Sequence, residues 1–138
     1  MKAEWTDALY PTAAQIQTLL AGPPDRPVVM VNLLRFKTRG DAPDEDVTGE
    51  EAYRRYADAM TAFIATRGAR VLWAGRIDSQ VIGEGAEAFH MVGIVEYPSR
   101  QAFLAIATDP HVQAIGVHRS AGLAGQWLLA ATTDEPGA

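Results

Sequence analysis

The chain has 138 residues, of which 48% are hydrophobic and 21% charged, with a net charge of −5. This profile excludes a disordered chain, leaves room for one domain with a substantial core, and is too short for two ordinary domains. The basic residues are scattered, so no nucleic-acid-binding face is marked; cysteine is absent, which removes disulfides, thiolate nucleophiles and cysteine-bound metals; no apolar run nears the roughly 20 residues of a membrane span.

The first residues, Met1-Lys2-Ala3-Glu4-Trp5, lack the apolar stretch of a signal peptide, so the expected location is cytoplasmic. Thr12 to Gln15 has the spacing of a capping box, Ile16, Leu19 and Leu20 give an apolar edge, and Gly22-Pro23-Pro24 ends a short first helix. Residues 28 to 36, Val-Val-Met-Val-Asn-Leu-Leu-Arg-Phe, read as a strand buried on both faces. Residues 38 to 47 carry Gly40, Pro43 and four acids, which predicts a mobile loop with nothing to bury. Thr48 and Glu51 form a second capping box, and Tyr53, Tyr56, Met60, Phe63 and Ile64 follow at helical spacing up to Gly68.

Residues 70 to 82 and 89 to 97 are β-rich runs joined by a glycine-containing turn, which predicts a hairpin. Ser99 caps a helix with Phe103 and Ile106; Asp109 and Pro110 open another that ends near Gly122. Residues 126 to 133 form the last strand, and residues 134 to 138 an acidic tail expected to fray. The expected domain is therefore a single one over 1–138: a helical extension (1–26), a βαββαβ core (27–133) and the tail. That order is the α+β, ferredoxin-like arrangement, a four-stranded antiparallel sheet with helices on one face. Strands apolar at successive positions leave the other face in need of cover, and a second copy of the chain covers it with one self-complementary patch. The expected partner is therefore the chain itself, through the sheet.

Pro27 to Lys37, Tyr53-Arg54-Arg55-Tyr56, Val71 to Arg76, Val95 to Arg100 with Phe103, Asp109-Pro110 and His118-Arg119 together resemble the domain-of-unknown-function family thirteen-thirty. The resemblance spans about Pro11 to Thr133 and implies a dimeric α+β barrel, a superfamily that includes antibiotic-biosynthesis monooxygenases, EthD-like proteins, muconolactone isomerases and haem-dependent chlorite dismutases. It implies little about activity, since these relatives differ in chemistry. The iron-binding histidine context of the haem branch is missing: His90 falls in a hairpin strand and His111 opens a helix. No cofactor is expected.

Several residues are candidates for chemistry. Asn32 interrupts an apolar strand and needs partners, either backbone groups or a ligand carbonyl or water. Arg76 and Glu96 lie on the two hairpin arms; a turn centred near Gly85-Ala86 would set them at or next to opposite positions, as a surface ion pair or as a guanidinium fork for a carboxylate or enolate with Glu96 as orienter or base. Tyr53 and Tyr56 belong to a helix stripe that either packs in the core or lines a pocket mouth, and Trp73 would supply an aromatic wall. His118 and Arg119 suit a helix C-terminus, and His118 is the best acid-base candidate. Catalytic roles thus fall to His118, Arg76 and Glu96, and ligand contacts to Asn32, Tyr53, Tyr56, Trp73 and Arg119. His111 and His118 are seven apart, but no acid stands three or four residues after His111, so no metal site is expected. No phosphate loop or nucleophile elbow occurs. The function so read is small-molecule binding between sheet and helices, with cofactor-independent oxygenase or isomerase-type chemistry or, alternatively, a non-catalytic binding or regulatory role.

Overall fold

The computed structural model describes residues 8–134; Met1 to Trp5 and all of the expected tail but Asp134 lie outside them. The elements are α1 (Ala13–Leu20), β1 (Val28–Phe36), α2 (Gly49–Ala65), β2 (Arg70–Arg76), β3 (Met91–Tyr97), α3 (Arg100–Ala107), α4 (Pro110–Gly122) and β4 (Leu123–Ala131). Both capping boxes form, Thr12 with Gln15 and Thr48 with Glu51, because each hydroxyl accepts from the backbone N–H three residues on. Ser99 and Asp109 cap α3 and α4, and Pro110 occupies the first turn of α4.

The strands form one antiparallel sheet in the order β2-β3-β1-β4, the ferredoxin-like order, with the class α+β. Side chains alternate across it. Val28, Met30 and Leu34 of β1 point to the helices and are at most 2% exposed. Their register partners follow: Tyr97 and Val95 share that face, and so do Asn32 and Gly93. Val31 and Leu33 point the other way, with Ile94 and Val92 of β3 and Leu129 and Trp127 of β4 beside them. Among the described residues no helix covers this second face.

The aliphatic core occupies one half of the helix-covered side. Val28, Met30, Ile64, Ala69, Tyr97, Ile106 and Val112 pack there with Leu19, Met60, Phe63, Val95 and Phe103. The other half, toward Phe36 and β4's start, holds the aromatic and polar side chains described below.

Three expectations are corrected. β2 ends at Arg76 rather than 82, and β3 begins at Met91 rather than 89: Ile77 N–H bonds His90 O at 2.9 Å, and beyond that pair Val81 and Ile82 stand 88% and 90% exposed with no strand to join. Gly83 and Gly85 then take φ of +86° and +102°, a backbone only glycine adopts freely. β4 spans 123–131 rather than 126–133, since the chain passes from α4 straight into the sheet at fully buried Leu123. The 38–47 loop does have something to bury. Asp44 is 1% exposed, Gly40 N–H bonds Val47 O at 3.0 Å, and Asp41 N–H bonds Ala121 O at 2.9 Å, so backbone and carboxylate tie the loop to α4.

Candidate functional site

α2 and α4 cross the sheet as a tight pair. Gly122 lies directly against the Gly49 carbonyl and the Tyr53 backbone, a closeness no residue with a Cβ permits. This brings Tyr53 and Tyr56 of α2 beside Arg119 of α4. The Tyr53 ring packs on Phe36 and on Tyr56, each at 5.6 Å between centroids. Phe36 in turn stacks on His90 at 5.8 Å, whose Nδ1 accepts from the Phe36 N–H at 3.0 Å.

Below the helices a chain of amides fixes Arg119. Asn32 Nδ2 donates to Gly93 O at 3.2 Å, Gln126 Nε2 donates to Asn32 Oδ1 at 2.7 Å, and Arg119 Nη1 donates to Gln126 Oε1 at 2.7 Å. The Arg119 guanidinium also lies over the Tyr10 ring, 5.0 Å from its centroid. Asn32 therefore has protein partners for both ends of its amide, and its role is to hold Gln126. Above Gly93 there is room: a Cβ built there meets only Asn32 Cβ, at 3.9 Å.

The hydroxyls of Tyr53, Tyr56 and Tyr97 have no hydrogen-bond partner among the described residues. Burial raises all three above the ordinary tyrosine value; neighbouring tyrosines push Tyr53 and Tyr97 further up, and the Arg119 charge pulls Tyr53 and Tyr56 back. At neutral pH they are donors.

His118 belongs to a second set. Its Nδ1 bonds Asp44 Oδ2 at 2.7 Å, and Asp44 also takes a hydrogen bond from Arg55, which reaches Asp46 as well. Burial alone would raise the Asp44 carboxyl, but the hydrogen bonds from His118 and Arg55, with their charges, together outweigh it and hold the group below its ordinary value. His118 Nε2 has no hydrogen-bond partner among the described residues. The dyad is thus oriented from one side, as an acid-base histidine is.

The pairing of Arg76 with Glu96 is overturned. The register sets Arg76 opposite Met91 and Glu96 opposite Arg70, because the hairpin turns about two residues earlier than Gly85-Ala86 and β2 bulges at Leu72. Arg76 points to the helix side and binds Glu50 of α2, whose carboxyl it holds low, whereas Glu96 points to the uncovered face and meets Arg70 Nε at 3.2 Å. Glu96 is therefore no orienter for Arg76. Trp73 is also on the uncovered face, 55% exposed and lying over Gly75, so it forms no wall of a pocket under the helices. Asn32, Tyr53, Tyr56 and Arg119 do come together. Asp44, Gln126 and Tyr10 were missed; only Gln126, a polar residue at the head of an apolar strand, carried a signal comparable to that of Asn32.

Among curated proteins, none matches the sequence. Among solved structures, a protein of unknown function from Rhodopseudomonas palustris is 31% identical, with a TM-score of 0.84 over 95% of this chain and 100% of that one. A hydroxynitrile lyase from Passiflora edulis is 11% identical, with a TM-score of 0.59 over 81% of this chain and 97% of that one. A dabb family protein with a ferredoxin-like fold from Mesorhizobium loti is 15% identical, with a TM-score of 0.53 over 79% and 98%. The last two likenesses concern the fold alone. The family match spans residues 44–132, and together with the Rhodopseudomonas relative it establishes that the chain belongs to the family described as Domain of unknown function (DUF1330).

Proposed function

We propose that this protein is a homodimer that binds a small organic molecule in each subunit, between the sheet and helices α2 and α4. The observation that carries the binding site is the pair Tyr53 and Tyr56, whose hydroxyls have no partner among the described residues, beside a fixed Arg119 and near a Gly93 that leaves room for a further atom. None of these hydroxyls is fully enclosed, and donors that converge beside a fixed cation with no acceptor from the fold among the described residues are free to meet a guest. The dimer is carried by the uncovered face, where Trp73 and Leu129 are 55% and 51% exposed beside Val31, Leu33, Val92 and Ile94. A contiguous apolar patch of that kind favours association, and an identical patch satisfies it.

A titration of labelled protein with ring-bearing fragments, followed by amide NMR shifts, tests the site. The amides of Asn32, Tyr53, Gly93 and Gln126 should move together. Shifts confined to the uncovered face or to residues 77–90 would refute the placement.

A catalytic reading rests on one further observation, the Asp44–His118 pair. A buried carboxylate on Nδ1 with Nε2 left free is the arrangement of a general base. Arg76 and Glu96 have no part in it.

A further inference from the structure

Taking the site between sheet and helices as the binding site, we propose that its ligand is a small organic monocarboxylate, whose oxygens sit on the Arg119 guanidinium and accept hydrogen bonds from the Tyr53 and Tyr56 hydroxyls. The argument begins with charge. Arg54, Arg55, Arg67, Arg70 and Arg76 each reach a carboxylate within the chain. Arg119, half-buried at the end of α4, reaches none among the described residues and, unlike Arg100, whose two terminal nitrogens bond Leu19 O and Thr132 Oγ1, keeps one terminal nitrogen unspent there. A cation taken partly out of water without a counter-ion is costly, and a bound anion relieves that cost.

Geometry narrows the ligand. One Arg119 N–H is spent on Gln126 Oε1, itself held by Asn32, and Tyr10 covers part of the guanidinium, so the group is fixed with donors to spare. A planar fork of this kind matches a carboxylate in two parallel bonds. Arg119 is the one cation that the Asn32–Gln126 amide chain holds among the described residues, which suits a single negative charge better than a phosphate dianion. The Tyr53 and Tyr56 hydroxyls are protonated donors, and among the described residues nothing accepts from them. Phe36, Tyr53 and Tyr56 pack on one another at 5.6 Å between centroids and form an aromatic cluster beside Arg119, which suits a ring-bearing body for the ligand.

Benzoate and benzamide, near in shape and different in charge, are suitable probes by calorimetry and by NMR shifts at Tyr53 and Gly93. Benzoate should bind at least roughly ten-fold tighter than benzamide, as expected of a charge-assisted bidentate contact. Arg119→Gln should erase that preference, Arg119→Lys should restore part of it, and Tyr53→Phe should weaken benzoate several-fold with an unchanged melting temperature. Arg119→Lys and Tyr53→Phe keep the test open if Arg119→Gln does not fold. If benzamide binds as well as benzoate at the same amides, the carboxylate inference fails and the site stands. If neither probe moves those amides, or if Arg119→Gln and Tyr53→Phe bind benzoate like the parent, the site fails as well.

Discussion

Asp44→Asn isolates the one buried carboxylate that the 38–47 loop brings into the fold. In the parent protein the carboxylate is 1% exposed and joins three segments: its own loop, Arg55 of α2 and His118 of α4. The amide keeps the shape but removes the charge and one acceptor. The Arg55 bond is left out of the sum, since Arg55 is 41% exposed and retains Asp46. What remains is the half-buried contact with His118, a charge-assisted bond at 2.7 Å worth about 1.5 to 3 kcal/mol. For a chain of this length that corresponds to a fall in melting temperature of roughly 5 to 12 °C. Urea unfolding of parent and variant at pH 7 and at pH 3 measures it. The folded-state pKa of Asp44 lies below its ordinary 3.8, so the contribution is complete above that value and is lost as the pH falls through the folded one. The gap between parent and variant should therefore begin to close as the pH falls below 3.8. A gap under about 0.5 kcal/mol at pH 7, or one that does not narrow in acid, would refute the account of Asp44 as the anchor of the loop.

Leu129→Glu places a charge in the middle of the uncovered face and should convert a species of twice the 14.9 kDa chain mass into a folded monomer in sedimentation; a parent that is already monomeric contradicts the proposed dimer. Asn32→Leu strands the Gln126 amide and the Gly93 carbonyl, and should cost about 1 to 3 kcal/mol by urea unfolding while weakening benzoate through a slackened Arg119. Arg76→Ala removes only an exposed pair with Glu50 and should leave both melting temperature and benzoate affinity as they are, by scanning calorimetry and titration.

Caps and apolar spacing made the fold legible. Thr48 with Glu51, Thr12 with Gln15 and the Asp109-Pro110 step placed three helices by local chemistry, and the run from Val28 to Phe36 marked a central strand because side chains on both its faces are apolar. The hairpin register was not legible. Composition carries β-propensity into Val81 and Ile82, whereas the ladder stops where the partner strand stops, and one bulge at Leu72 moves Trp73 to the opposite face. Half of the site was visible as residue types: Asn32, Tyr53, Tyr56 and Arg119 stand out in their segments. Which residues they meet depends on α2 and α4 closing over Gly122, a contact between positions far apart in sequence, and Asp44 gave no local sign that it is buried.

Equilibrium urea unfolding of the Tyr53→Phe/Tyr56→Phe double variant, without any ligand, tests the central claim most directly. If the two hydroxyls are kept for a guest, removing them leaves the hydrogen bonds among the described residues intact, and stability should stay within about 0.5 kcal/mol of the parent, since neither hydroxyl has a partner there to lose. A loss of about 1 to 3 kcal/mol would show that the hydroxyls hold the fold itself, and would contradict a binding site at this place.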